Sequence, residues 1–474
     1  MLHRTPLSGI DSAWFRMDRP ANPMVIAGVM ILGGRVSLRR LQHVIEHGFL
    51  AHERFRCRVE MDGDSPFWEP DPYFDLGFHL KRAALPRRAG RKALFELVSD
   101  LMSTPLDRAH PLWQFHLVER YGKGSVIVAR VHHCYADGIA LVRVLLAMSD
   151  GNGDAAERAR RADAEPESWF EHLPMGRTLG ETVKIGGTLL GGALDVLLHP
   201  THVADYARQG MDIAGELATL ALMPMDSATA LKGYPTGLKH AAWGSRIPLR
   251  DFQAVAGGTG CSINDVVLCC VAGALREYLR ARGESVEDKE FRIVVPVNLR
   301  PPAETTGMGN YFGLVAVLLP LGIDNPLERL YEVRRRMLVL KGSKQAVVSL
   351  GVLGAVGMAP NAVQQSTLDL LASRASAVMT NLPGPTQPVR MAGAELKELI
   401  FWVPQSSTIG VGISVLSYAG AVQCGIVIDG NLADDPDDVA DRFRDEFAKL
   451  LWVTLLSPWS GKPEPVARRT SASR

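Results

Sequence analysis

The chain has 474 residues, 47% of them hydrophobic and 22% charged, a globular composition that excludes fibrous and intrinsically disordered classes. Lys plus Arg (52) nearly cancel Asp plus Glu (51), so bulk charge gives no reason to expect nucleic acid as a partner. The length is well above the roughly 100–200 residues of an ordinary domain, which points to two domains.

In chain order, the β-rich run from Met24 to Leu32 predicts a strand, and Leu38, Leu41, Ile45 and Phe49 then recur at helical spacing. Leu94, Leu97, Val98 and Leu101 mark a second amphipathic helix, ended by Pro105. Trp113 to Val118 and Ser125 to His132 read as two strands around the turn Tyr121-Gly122-Lys123-Gly124, followed by a helix from Ile139 to Met148 that is apolar nearly all round and therefore buried. From Asp150 the charged, Gly-bearing stretch DGNGDAAERARRADAEPES has no apolar period and reads as a linker that ends a first domain, 1–150. Residues 151–238 are assigned to this linker and to crossover helices, since Trp169 to Met225 is mostly helical in pattern. Ile185 to Leu198 within it is either a helix packed on the protein or one touching a membrane.

A second mixed α/β half, 239–456, is expected to hold a helix from Asn264 to Leu279, strands Phe291–Val297 and Tyr311–Leu319, a helix from Pro326 to Lys341, a strand Ser376–Thr380 and a last helix from Pro436 to Leu451. The uncharged run from Leu399 to Ile428 is long enough to span a bilayer, but Pro404, Gln405, Ser406, Ser407 and Thr408 make it a poor membrane helix. Its second part alternates, Val411, Ile413 and Val415 on one face, then Ala419-Gly420, then Val422, Cys424, Ile426 and Ile428, which predicts a buried β-hairpin. The tail 457–474 is rich in Pro, Ser and Arg and is expected to be disordered. Cys57, Cys134, Cys261, Cys269, Cys270 and Cys424 show no C-x-x-C spacing and no apolar leader precedes them, so reduced thiols in a cytoplasmic protein are expected.

The chemistry concentrates in HHCYADG. A strand delivers His132 and His133, three residues follow, then Asp137-Gly138, and a buried helix begins. Imidazole is the side chain whose ordinary pKa lets it take an alcohol proton near neutral pH. Neighbouring side chains on a strand point to opposite sides, so only one of the two histidines can face a given cleft. No G-x-S-x-G elbow accompanies them, which argues against a serine acyl-enzyme, and Cys134 is the one residue that could revive covalent catalysis. HHxxxD also offers three metal ligands, but no Cys, His or Glu stands nearby at familiar ligand spacing, so no metal is expected.

HHCYADG resembles the HHxxxDG motif shared by chloramphenicol-acetyltransferase-like and peptide-synthetase condensation-like acyltransferases. Further segments resemble one branch, the bacterial wax ester synthase/diacylglycerol acyltransferase family: LSGIDSAWFRMDRPANPM, PLW at Pro111 to Trp113, SINDVVL, PVNLR, GNYFG, TNLPGP and SYAG, in family order from about Leu7 to Leu451. The resemblance implies an α/β fold of two chloramphenicol-acetyltransferase-like domains, a condensation-type pseudo-dimer, with an active-site tunnel at their interface. It implies an O-acyltransferase that joins a long-chain acyl group from acyl-CoA to a fatty alcohol or diacylglycerol without a cofactor. A condensation-type transferase with another thioester, and a non-catalytic lipid-binding protein, are the alternatives.

By the same resemblance His133 is the general base and His132 a supporting residue, while Asp137 fixes the loop with Arg300 as candidate partner. Gly138 also fits a tight turn into a helix. Asn264, Asp265, Trp113, Thr380 and Asn381 are the candidates for substrate contact, although Asn264 and Asp265 equally suit a helix start and Trp113 a core. Lipid substrates and the lack of a credible span imply peripheral attachment to the inner membrane or to lipid droplets.

Overall fold

The computed structural model describes residues 4–86, 88–150, 223–300, 309–358 and 361–456. The expected crossover helices before residue 223 and the tail from 457 lie outside the described residues. The first half runs β1 (Thr5–Pro6), α1 (Gly9–Met17), β2 (Val25–Leu32), α2 (Leu38–His47), β3 (Cys57–Asp62), β4 (Ser65–Pro70), α3 (Leu76–His79), β5 (Leu80–Ala83), α4 (Arg91–Ser103), β6 (Trp113–Tyr121), β7 (Gly124–His132) and α5 (Gly138–Ala147). Sequence periodicity finds β2, α2, α4, β6, β7 and α5, and misses α1 and the β3–β4 hairpin. Helix α1 is short and owes its start to Ser8, whose Oγ accepts from the Asp11 N–H.

The second half runs β8 (Lys239–Trp243), β9 (Ile247–Pro248), α6 (Leu249–Thr259), α7 (Ile263–Ala281), β10 (Glu290–Asn298), β11 (Phe312–Pro320), α8 (Pro326–Lys341), α9 (Gln345–Met358), α10 (Asn361–Ala372), β12 (Ala377–Pro383), β13 (Arg390–Met391), β14 (Ala394–Trp402), β15 (Val411–Tyr418), β16 (Ala421–Asp429) and α11 (Pro436–Leu456). Its sheet has the order β11-β10-β12-β15-β16-β8, with β9 also on β16. The expected hairpin is β15–β16, with Tyr418 opposite Ala421 at the turn.

One strand departs from a clean division near residue 239. β14 leaves the second half and pairs antiparallel with β2, Phe401 opposite Gly28 and Trp402 opposite Ala27, so the first half's sheet reads β13-β14-β2-β7-β6-β5. The halves also share an apolar cluster, in which Trp243, Trp402 and Val427 pack with Leu94, Val98 and Val118.

Strand alternation decides where the cavity lies. On β10, Phe291, Ile293, Val295 and Val297 join the core beneath α7, while Arg292, Val294, Pro296 and Asn298 face the other way and line a cavity. Val378, Thr380 and Leu382 of β12 and Phe312, Leu314 and Ala316 of β11 line it too. The facing wall is α5 and α1 of the first half, closed at the side by α9 and α10.

Candidate active site

The two histidines turn to opposite sides at the end of β7. The His132 ring is 1% exposed, points back toward Phe15 and Asp18, and lines no part of the cavity. Its Nδ1 accepts the Cys134 N–H at 3.1 Å, which leaves Nε2, 3.7 Å from Asp18 Oδ1, as the ring's donor atom. Burial alone would raise the Asp18 carboxyl, but His132, the Met24 N–H and Arg108 outweigh it and hold the group at about 2.

His133 enters the cavity. Its N–H donates to the Met24 carbonyl at 2.7 Å, and its ring stacks on Trp14 with centroids 4.3 Å apart and an interplanar angle of 18°. Phe312 closes on it at 5.7 Å. Burial depresses its pKa to about 4, so the ring is neutral at neutral pH, and its Nδ1 has no hydrogen-bond partner among the described residues.

The loop that presents His133 is held from several directions. Asp137 caps α5 through Oδ1, which accepts the Ala140 N–H at 2.9 Å. Its Oδ2 accepts from Arg300 at 2.8 Å and from the Tyr311 N–H at 3.3 Å. Arg300 also donates to the Gly309 carbonyl at 3.1 Å and lies over the Tyr311 ring. Asn310 Nδ2 donates both to the His133 carbonyl, at 2.9 Å, and to Asp11 Oδ1, at 2.7 Å. Arg54 donates to the Tyr135 carbonyl at 3.1 Å and lies 3.7 Å from Asp11. Burial still pushes the Asp11 carboxyl up, against the pull of Arg54 and Asn310.

The cavity has a volume of about 300 Å³ and lies between the halves. Thr380 and Asn381 line it, and the buried Thr380 Oγ1 has no partner among the described residues. Asn264 sits behind them, accepting from the Asn381 amide. Asp265 does not reach the cavity: its carboxylate accepts the Ser262 N–H at 2.8 Å and completes a capping box on α7. Trp113, a candidate for substrate contact, does not line the cavity either. It is wholly buried, stacked on His79 at 4.1 Å with Nε1 donating to the Phe55 carbonyl, and belongs to the core.

Gly138 serves close approach and not a left-handed backbone, because a Cβ there would meet Leu382 Cδ1 at 2.6 Å. Cys134 packs into the first half's core with its thiol pushed far up by burial. The one close His/Glu cluster among the described residues, His43, Glu46 and His47, is exposed on α2 and does not line the His133 cavity.

Sequence reasoning did not single out Trp14, Phe312, Asp11, Asn310 or Arg54. Four of them sit in segments that carried the family likeness, but nothing local told which side chain of each segment turns inward, and Arg54 gave no signal at all.

Residues 7–267 match the wax ester synthase/diacylglycerol acyltransferase catalytic domain, and residues 308–451 match the C-terminal domain of the same enzymes. A probable diacylglycerol O-acyltransferase of Mycobacterium tuberculosis is 29% identical over 427 residues, 89% of this chain and 87% of that protein. A second protein of that organism, a putative diacylglycerol O-acyltransferase, is 25% identical over 468 residues, 94% of this chain and 90% of its own. Among solved structures, the wax ester synthase/diacylglycerol acyltransferase from Marinobacter aquaeolei VT8 aligns with a TM-score of 0.64 at 20% identity, covering 95% of this chain and 100% of that one. The first condensation domain of the calcium-dependent antibiotic synthetase aligns with a TM-score of 0.58 at 14% identity, 97% of each chain covered. At these identities the structural likeness concerns the fold, which is the expected condensation-type, two-domain α/β arrangement.

Proposed function

Because the chain belongs to the wax ester synthase/diacylglycerol acyltransferase family, we propose that this acyltransferase carries a long-chain acyl group from acyl-CoA to the hydroxyl of a fatty alcohol or diacylglycerol, with His133 as general base. The observation that carries this reading is the neutral His133 ring, turned into an apolar-walled cavity whose two sides come from the two halves.

In the proposed step the imidazole takes the hydroxyl proton as the alcohol oxygen bonds to the thioester carbonyl carbon. The C–S bond then breaks, and the proton passes from the imidazolium to the departing sulfur, giving the ester and the CoA thiol. A dry site favours the neutral base in the ground state, and ring contact with Trp14 fixes its aim. Charge gathers on the carbonyl oxygen during attack, and donors placed ahead of time stabilise it best. The unpartnered Thr380 hydroxyl and the Asn381 amide, steadied by Asn264, are the groups in the cavity suited to that task. Asp137 is engaged by Arg300, Ala140 and Tyr311 and is left to hold the loop. No covalent intermediate or cofactor is needed, and Cys134 is turned away.

The test is ester formation from palmitoyl-CoA with hexadecanol or dioleoylglycerol, followed by free thiol and by product. His133→Ala is expected to lose at least about 10²-fold in turnover, the scale of a general base. Turnover surviving in that variant would assign the base elsewhere.

No single helix among the described residues is long and apolar enough to cross a membrane. Trp452, Leu455 and Leu456 are 63%, 64% and 78% exposed at the end of α11, an apolar tip suited to peripheral contact with a lipid surface. Flotation with liposomes, wild type against Trp452→Ser/Leu456→Ser, tests this part of the proposal.

A further inference from the structure

A second cavity, of about 100 Å³, lies between α5 and the sheet β14-β2-β7-β6. Every described residue that lines it is apolar, among them Met30, Val131, Leu141, Leu145 and Leu399. The hollow has a cause in the strand register. Gly28 of β2 stands directly opposite Ala129 of β7 on one side and Phe401 of β14 on the other, so two adjacent positions in the middle of the sheet present almost no side chain. Both Gly28 and Ala129 are only partly buried although they sit in central strands, and both line the hollow. A Cβ built at Gly28 would meet nothing nearer than the Ile400 carbonyl oxygen at 3.8 Å.

The hollow adjoins the His133 cavity. Ile26, Gly138, Val142, Leu382 and Phe401 line both, and Gly138 begins the helix at the end of the histidine loop. An empty apolar void beside a catalytic cavity is costly to keep in a close-packed interior, which favours a ligand that fills it.

We infer that this hollow receives the far end of the donor's acyl chain, and that the Gly28–Ala129 pair sets how long a chain fits. The inference rests on the acyltransferase reading and adds a specificity determinant to it. A single hydrocarbon chain needs no polar partner along its length and matches walls without one. A diacylglycerol carries two chains and two ester groups, and suits the larger cavity, where Asn298, Thr380 and Asn381 supply polar groups. The hollow takes the one chain whose carbonyl must stop beside His133.

The experiment compares kcat/KM for octanoyl-CoA and palmitoyl-CoA with one alcohol, then octanol and hexadecanol with octanoyl-CoA, in Gly28→Val, Ala129→Leu and wild type. Each methylene denied burial is expected to cost about fourfold. The palmitoyl-to-octanoyl ratio should therefore fall at least about tenfold in the filled variants, with the alcohol ratio unchanged within about twofold. Leu141→Ala, which widens the hollow, should raise the palmitoyl-to-octanoyl ratio and decides the matter if the filled variants do not fold. An unchanged donor ratio in folded variants, or a shift in the alcohol ratio instead, overturns the inference while the acyltransferase reading stands. Wild-type protein that releases thiol from neither donor overturns both.

Discussion

Arg300→Ala is the perturbation that most directly tests how the histidine loop is held. The Arg300 and Asp137 side chains are 2% and 7% exposed and meet at 2.8 Å, so removing the guanidinium leaves a carboxylate out of reach of bulk water. Breaking a buried pair from one side costs about 3–5 kcal/mol. Asp137 would keep the N–H groups of Ala140 and Tyr311, which places the expected loss near the lower end, about 3 kcal/mol. Asp137→Asn keeps an oxygen for the cap but sets an amide against the guanidinium. The double variant removes both charges, and its cost should fall short of the sum of the single ones by at least about 1.5 kcal/mol. Urea denaturation followed by tryptophan fluorescence reads this as shifts in midpoint at constant slope. Arg300→Ala should also lose about 10²-fold in turnover, since the pair steadies the loop that aims His133, and a displacement of about 1 Å can cost that much. Strict additivity, or a loss under about 1 kcal/mol with full activity, would refute this account of the loop.

Two further outcomes are expected. Burial holds His79, His116 and His133 at about 4, against 6.5 for a free histidine, so between those values the unfolded chain binds more protons than the native one. Their contribution to stability is complete above about pH 6.5 and is lost as pH falls through about 4; from pH 7 to 5 each histidine should cost on the order of 1–2 kcal/mol, read from urea midpoints, and midpoints that hold or rise on acidification would contradict the buried-neutral assignment. Cys134→Ala should keep turnover within about threefold and yield no acylated protein by mass spectrometry, because the thiol lies in the core with its pKa driven up; a folded but inactive variant would restore the case for an acyl-enzyme.

Much of the site's local geometry was legible because strands alternate. The pair His132-His133 at the end of an apolar run implied one ring inward and one outward, and the run Val411 to Ile428 announced its hairpin. Asp265 shows a competing local signal, since Ser262-x-x-Asp265 is a capping box as well as part of a family segment, and the cap is where its carboxylate goes. Trp113 shows a different limit: an aromatic in a segment that carries the family likeness is drawn into the core, where its Nε1 finds the Phe55 carbonyl. Helix α1 is only nine residues long, and although Ile10, Ala13, Trp14 and Met17 recur at helical spacing, two turns are a short run on which to rest an element. Yet it carries Trp14 and Asp11.

What no local pattern could disclose is which sheet a strand joins. β14 carries Glu395, Lys397 and Glu398 in its first part, with Ala394 and Leu396 turned into the core between them, and finds its partner β2 roughly 370 residues earlier in the chain. Without it the first sheet would end at β2, and the face that bears Gly28 would lose Phe401 as a wall. The loop contacts follow the same logic, because Arg300 and Asn310 come from the second half while Asp11 and Arg54 come from the first. An imidazole aimed this way is therefore a property of the docked pair. A first half expressed alone would retain His132, His133 and the cap on α5, but it would lack Arg300 on Asp137, Asn310 on the His133 carbonyl and the whole β10–β11–β12 wall of the cavity. Its histidine would face water, where the depressed pKa has no cause and Trp14 alone is left to aim the ring.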